Sequence, residues 1–170
     1  MLKAAGVFLV VIGTAGFGNS LKLLLNRHLK QLSDFQGIFI QMELLKTTLK
    51  LPYGEMLRRC ARGRDRLYGE LLEGIAGEME ENHEIDVGNL WEKGFLKRKG
   101  EFLFSQEERE ILISLARTLS MESSSTKACE IYFFRLEKQI AQVVEEKKEK
   151  QKLYRCVGIL SGLFLVILLL

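Results

Sequence analysis

The sequence predicts an all-α protein: an antiparallel helical bundle of five to seven helices between an N-terminal and a C-terminal transmembrane helix. In the middle of the chain, apolar residues recur at three- and four-residue spacing, and the 170 residues include one proline. Both ends are apolar, whereas the middle is rich in acids and bases. The predicted division is an N-terminal membrane helix over 1–25, a cytoplasmic bundle over 26–152 and a C-terminal membrane helix over 153–170.

The first apolar segment, Ala4–Leu21, contains no charged side chain, and its 18 residues span about 27 Å as a helix, close to the thickness of a hydrocarbon core. Small residues are common where membrane helices pack closely, so Gly16 and Ser20 are candidate helix-packing residues. A cleaved signal peptide is the competing interpretation, although residues 14–16 form a poor cleavage site.

The second apolar segment, Val157–Leu170, has fourteen residues and no charge. As a helix it spans about 21 Å, which is shorter than a typical membrane span. An apolar tail packed on the protein's own core is the alternative, but 163–170 is apolar on every face, and a surface helix would show a polar one. Gly158 and Gly162 form a GxxxG pair and are further candidate helix-packing residues.

Basic residues beside the two segments predict the orientation of the chain. Lysines and an arginine precede the second segment, and no charged residue follows it in the sequence: Lys147, Lys148, Lys150, Lys152 and Arg155. Three bases follow the first segment within ten residues, whereas Lys3 alone precedes it. Both comparisons predict that the middle domain faces the cytoplasm.

The middle domain is predicted to consist of consecutive amphipathic helices. Ser33 or Asp34 can cap the first of them, and Pro52 suits the first turn of the second, where its missing N–H costs nothing. The predicted buried faces of the first three helices are Phe35, Ile38, Phe39, Met42 and Leu45, then Tyr53, Met56, Leu57 and Cys60, then Leu67, Leu71, Ile75 and Met79.

The second half of the domain has clearer helix-start signals. Asp86 can cap a short fourth helix, and Ser105 with Glu108 forms a capping box ahead of the next one. The last helix follows a polar run at 123–126. Its predicted buried side carries Cys129, Phe133, Leu136, Ile140 and Val143. Because no breaker follows, one helix of about 40 residues is predicted to run from the domain into the membrane.

The sequence shows no catalytic or metal-binding constellation. His28 and His83 stand apart and lack a Cys or His at metal-ligand spacing, and the chain contains no CxxC, P-loop or GxSxG motif. We therefore expect neither an enzyme nor a bound cofactor or metal. A formal charge of +3, with acids beside most bases, also argues against a nucleic-acid partner.

The densest basic cluster lies in the second predicted helix and after it. Arg58, Arg59 and Arg62 are a candidate surface for an acidic partner or for lipid headgroups. A solvated helix end is the alternative interpretation of the same residues.

Several stretches of the chain resemble one protein family. They are the Met1-Leu2-Lys3 start, Leu51-Pro52-Tyr53-Gly54-Glu55-Met56-Leu57, Leu90-Trp91-Glu92, Leu115-Ala116-Arg117-Thr118-Leu119-Ser120, and the close at 152–163, KLYRCVGILSGL. In their order and over nearly the whole length, they resemble the stage III sporulation protein AB family of endospore-forming bacteria.

That resemblance implies a function that composition does not. Members belong to a complex between mother cell and forespore, and their soluble domain is similar to the helical domains of type II secretion F proteins. The implied role is a non-enzymatic platform in the mother-cell membrane around the forespore. Its implied partners are a secretion-type ATPase, other membrane subunits and, as a further candidate, a second copy. A membrane-anchored sensor or regulator with a ligand-binding helical domain is the alternative.

Overall fold

The computed structural model describes the backbone of residues 2–81, 86–121 and 126–169. It describes the side chains of residues 23–81, 86–121, 127–150, 152–153 and 156–157. The helices are α1 (Leu2–Leu49), α2 (Tyr53–Ala61), α3 (Arg66–Glu81), α4 (Val87–Lys97), α5 (Gln106–Ser120) and α6 (Thr126–Leu169). These ranges contain no strand, and Lys99 and Phe102 form one isolated bridge. The prediction of an all-α helical bundle is therefore confirmed.

The chain divides into two compact units. The central unit is Lys30–Ile140, and the terminal unit combines Met1–Leu29 with Ala141–Leu170. In the terminal unit the described backbone is helical throughout. The tertiary contacts presented below belong to the central unit.

An aromatic cluster forms the core of the central unit. The ring of Phe35 on α1 is fully buried, and its centroid lies 5.3–6.3 Å from six other rings. Most of these pairs meet edge to face, the arrangement that the charge distribution of aromatic rings favours. The six rings belong to Phe39, Tyr68, Trp91, Phe95, Phe102 and Phe104.

One glutamine ties α1 to the segment between α4 and α5. Gln31 is almost fully buried. Its Nε2 donates to the carbonyl of Glu101 at 2.7 Å, and its Oε1 accepts from the backbone N–H of Leu103 at 2.9 Å. A buried amide is tolerated when its donors and acceptors are used, and here it serves a segment that has no helix of its own.

The first helix does not start where the sequence suggested. Ser33 and Asp34 were expected to cap a new helix, but both lie inside α1, which continues from Leu2 to Leu49. Residues 22–32, between the first apolar segment and Ser33, are mostly good helix formers and include no proline. The helix therefore continues through them. It ends at Leu49, and the next residue, Lys50, has a φ of +50°, which lies in the left-handed region.

Pro52 lies one residue before α2 rather than in its first turn. Its ψ of 147° is extended, and its carbonyl accepts the N–H of Met56 at 3.0 Å. Gly63, with a φ of +78°, follows the end of α2. Glycine adopts this conformation without a Cβ clash, so this residue type suits the turn into α3.

The starts of α4 and α5 carry side-chain caps. Asp86 accepts from the N–H of Asn89 at 3.3 Å. Ser105 Oγ accepts from the N–H of Glu108 at 3.2 Å, while Glu108 Oε2 accepts from the N–H of Ser105 at 2.7 Å. This reciprocal pair is a capping box, and it satisfies the Glu108 carboxylate, which is 2% exposed.

The buried face of α3 is broader than its apolar spacing indicated. Leu71 and Ile75 are buried as expected, but Leu67 and Met79 are only half-buried. Because α3 packs against both α2 and α4, it buries two adjoining stripes instead of one. The additional buried residues are Tyr68, Leu72 and Ala76.

The described residues include no helix with a stretch long and apolar enough to cross a membrane. Most side chains of the predicted membrane helices, 1–25 and 153–170, lie outside the described set. The same holds for the helix-packing candidates Gly16, Ser20, Gly158 and Gly162, whose side-chain environment is outside the described residues. These assignments stay predictions.

Candidate interaction surfaces

The arginines of α2 are bound within the chain. Arg58 Nη2 lies 2.6 Å from Glu80 Oε2, and Arg58 Nε lies 4.0 Å from Glu73 Oε2. Arg59 Nη2 lies 2.7 Å from Glu55 Oε1, one turn earlier on the same helix. These pairs are solvent-exposed, where each contributes little to stability. The two pairs of Arg58 join α2 to α3, and together with the Arg59 pair they neutralise much of the predicted basic cluster.

The remaining arginines of the cluster point to different surroundings. Arg62 is exposed at the end of α2. Arg64 donates from Nε to the carbonyl of Cys60 at 2.9 Å and from Nη2 to Gln41 Oε1 at 3.0 Å. Three residues were predicted as a partner surface. Arg58 and Arg59 form ion pairs with carboxylates of their own chain, whereas Arg62 lies exposed at the turn after α2.

A cleft lies where the end of α1, the start of α2 and the end of α5 meet. Its volume is about 690 Å³, within the usual range for small-molecule sites. Lys46 Nζ donates to the carbonyls of Leu119 at 2.9 Å and Met121 at 2.5 Å, which is the favourable position for a cation at a helix C-terminus. The lining residues are Lys46, Thr47, Lys50, Leu51, Pro52, Tyr53, Met56, Leu119 and Ser120.

Two titratable groups of α2 are held in their neutral forms. Tyr53 OH accepts a hydrogen bond from Trp91 Nε1 at 3.1 Å, and burial raises the pKa of Tyr53 well above its ordinary value. Burial also raises the pKa of the Cys60 thiol to about 11. Since the thiolate is the reactive form, Cys60 is a core residue and not a nucleophile at neutral pH.

An ion pair between α4 and α5 was not visible in the sequence. Arg117 donates to Asp86 from Nε at 3.1 Å and from Nη2 at 2.7 Å, and this guanidinium lowers the pKa of Asp86. The same guanidinium occupies the space that a Cβ at Gly88 would need. The two partners are 31 residues apart, so no local spacing could have indicated the pair.

Within the residues the structure describes, no group of three or more His, Cys, Asp or Glu side chains could hold a metal ion. His28 is half-buried on α1, and His83 lies outside the described residues. Buried side-chain nitrogen and oxygen atoms of the described part all have hydrogen-bond partners. The polar chemistry described above lies mainly at helix caps, in surface ion pairs and in the cleft.

These features define an all-helical bundle protein whose buried polar groups serve its own structure. The family model of stage III sporulation protein AB matches residues 3–170, and the chain belongs to this family. No curated protein and no solved structure matches the chain.

Proposed function

We propose that this chain is a non-enzymatic platform subunit of a membrane complex between mother cell and forespore. In this proposal it anchors a secretion-type ATPase and other membrane subunits to the mother-cell membrane around the forespore, with its helical domain in the cytoplasm. The observation that carries the proposal is the family match over residues 3–170, because it takes in both apolar ends as well as the helical domain.

Two features of the chain support a platform. The core of the central unit is apolar and aromatic. The two buried polar residues that the structure describes there, Gln31 and Glu108, form hydrogen bonds with backbone groups of the same chain. The bases that precede Val157 favour a cytoplasmic domain. A protein of this kind offers partners its surface and its membrane segments rather than an internal site.

The direct test is a pull-down of the tagged full-length protein, in mild detergent, from sporulating cells. Mass spectrometry should recover a secretion-type ATPase and further membrane subunits above the level seen with an equally expressed, tagged membrane protein of unrelated function. Recovery of neither class above that control would overturn the proposal.

A substitution in the last segment tests whether it packs against partners. Gly158 and Gly162 lie one helical turn apart in the sequence, so a leucine at 162 would fill the groove that small residues leave. We expect Gly162→Leu to reduce recovery of partner subunits, while Leu168→Ala, the matched control, leaves it unchanged. Equal recovery from both variants would restrict this segment to anchoring.

The cleft beside Lys46 and Lys50 is the observation that favours the second candidate, a membrane-anchored regulator that binds a small anionic ligand. The two functions differ in how a cleft variant behaves. If the chain is a platform alone, cells with Lys50→Glu should sporulate like cells with Lys93→Glu, a charge reversal at an exposed lysine of α4. A sporulation defect confined to Lys50→Glu, with normal recovery of partners, would favour the regulator.

A further inference from the structure

Two short stretches of the central unit concentrate its positive charge. Residues 62–66, between α2 and α3, are RGRDR, and residues 97–101, after the body of α4, are KRKGE. Together they hold six bases and two acids, a formal charge of +4, whereas the whole chain carries +3. The rest of the chain is therefore slightly acidic, and we name these two stretches the basic turns.

Both basic turns contact the start of the central unit. Its first residue is Lys30, whose Nζ lies 3.5 Å from Asp65 Oδ2 in the first turn. The next residue, Gln31, binds the backbone of Glu101 and Leu103 at the second turn. The two turns therefore adjoin the end of the unit at which α1 enters it.

The chain leaves the central unit at the same end. Gln36 Nε2 on α1 lies 3.5 Å from Glu137 Oε1 on α6. Seven residues further along α1, Glu43 lies near enough to Glu130 for their charges to interact, so the two helices run antiparallel here. Ile140, the last residue of the unit, lies only one helical turn beyond Glu137. We name this end of the unit, with residues 30–31 and the basic turns, the entry face.

Three bases of the entry face are open to a partner. Arg62 and Lys99 are exposed, and the side chain of Arg66 is 90% exposed although its Nε lies 3.5 Å from Glu70 Oε1. An ion pair in such a position is weak, so the Arg66 guanidinium can exchange Glu70 for another anion. Arg64, by contrast, is directed to acceptors of its own chain.

The length of chain beyond the entry face indicates what lies opposite it. With Ala4–Leu21 as a membrane span, as proposed above, the eight residues 22–29 separate the span from Lys30. As a helix they cover about 12 Å, of which the headgroup layer takes about 5–7 Å. The entry face then lies within about one Debye length, ~8 Å, of the headgroups. A folded protein partner does not fit into a space of that height.

We propose that the entry face binds the anionic lipid headgroups of the membrane in which the chain is anchored, through Arg62, Arg66 and Lys99. The inference rests on the membrane location given under the proposed function. Lysine and arginine near an anionic leaflet are attracted to its surface, and the planar guanidinium matches the geometry of a phosphate. The contact fixes the helical domain against the membrane and leaves its other surfaces to partner subunits.

A fluorophore on the full chain, reconstituted in vesicles, measures the contact. In a Cys156→Ser background, which removes the exposed native thiol, the label is placed at Leu96→Cys, a 53% exposed position next to the second basic turn. The control label is at Leu49→Cys, which is 52% exposed and lies 18 residues after Gln31, about 27 Å along α1. Lipids with a nitroxide on the headgroup quench a fluorophore that lies close to them.

Quenching at Leu96→Cys should be several-fold stronger in vesicles with one third phosphatidylglycerol than in phosphatidylcholine alone. It should return to the lower level in 1 M salt, where the Debye length falls to about 3 Å. Quenching at Leu49→Cys should be the same in all three conditions. If phosphatidylglycerol changed neither label, or changed both equally, the proposal would be wrong.

Charge reversal then tests the named residues. Arg62→Glu with Lys99→Glu should abolish the response of the Leu96→Cys label to phosphatidylglycerol. Lys127→Glu with Arg135→Glu, at exposed bases of α6, makes the same change in net charge and should preserve the response, with equal helix content by circular dichroism in both variants. A response that survives the first pair, or disappears equally with the second, would contradict the assignment to the entry face.

The vesicles contain no other subunit, so this measurement does not depend on whether the chain recruits a secretion-type ATPase. Flotation with vesicles of phosphatidylcholine alone tests the membrane location separately. Failure to float would overturn both the membrane location and the lipid contact. Flotation without a response to phosphatidylglycerol would overturn the lipid contact alone.

Discussion

Phe35 and Phe134 are the same residue type on neighbouring helices of the central unit, with opposite surroundings. Phe35 is fully buried among six aromatic rings, whereas 69% of Phe134 is exposed. The first is part of the core, whereas the second lies on the surface of the central unit. The difference shows that apolar character alone does not separate a core residue from a surface residue, because the rotational position on the helix decides which of the two it is.

The largest expected effect comes from the buried member of this pair. Phe35→Ala should lower the free energy of unfolding by about 3–5 kcal/mol, since it removes a ring from the centre of a packed cluster. Urea unfolding followed by circular dichroism measures it. Phe134→Ala, measured in dilute protein, should change the same quantity by less than about 0.5 kcal/mol. Similar losses for the two variants would break the comparison.

Two glycines sharpen the contrast between packed and open sites. A Cβ at Gly94 would lie 2.6 Å from Leu71 Cδ1, whereas nothing lies within 4 Å of one at Gly74. Gly94→Ala should therefore cost about 1–3 kcal/mol of stability through overpacking. Gly74→Ala, in the middle of α3, should add about 0.5–1 kcal/mol because alanine favours the helix. Thermal unfolding of both variants tests the sign of each change.

The capping box offers a smaller effect at the edge of the core. Ser105→Ala removes the hydroxyl that accepts the Glu108 N–H, and it should cost about 1 kcal/mol. Ser33→Ala is the matched control, because Ser33 lies exposed inside α1 and alanine is the better helix former there. If the control lost as much stability as Ser105→Ala, the loss could not be attributed to the capping hydrogen bond.

The smallest effect concerns the acids at the junction of α1 and α6. Burial and Glu130 raise the pKa of Glu43. The folded chain therefore binds this proton more tightly than the unfolded chain does, and that stabilisation is lost as pH rises through the raised pKa.

Glu43→Gln should consequently stabilise the chain by about 0.5 kcal/mol at neutral pH, a small value because the site is partly exposed to solvent. The gain should disappear in acid, where Glu43 is itself neutral. Melting temperatures of both proteins, measured from neutral to acid pH, test the gain at neutral pH and its loss in acid. A gain that persists at the acid end would assign the effect to helix propensity instead of charge.

Apolar spacing and cap residues predicted much of the fold. Met42, Leu57 and Leu136 lie in the core where the 3.6-residue period placed them. The misplaced start at Ser33 and Asp34 has a physical reason: capping residues are tolerated inside a helix when nothing competes with its continuation.

The sequence could not indicate the contacts between residues that are far apart along the chain. Arg58 meets Glu80, and Arg117 meets Asp86, through packing of separate helices, so a cluster that looks basic in sequence is largely neutralised in space. In the same way, Phe133 is half-buried and Phe134 exposed. The helical period predicted this difference between the two neighbours.

Gln31 has a consequence for the kinetics of local opening. The amide proton of Leu103 lies in a segment without helical hydrogen bonds of its own, yet it is held by a side chain of α1. Its exchange with solvent deuterium requires that this segment separate from α1. The exchange of this single amide therefore reports local opening at the centre of the fold. A glutamate at position 31 would keep the acceptor for the Leu103 N–H but lose the donor to the Glu101 carbonyl. It would therefore separate the contribution of one hydrogen bond to this opening from that of the other.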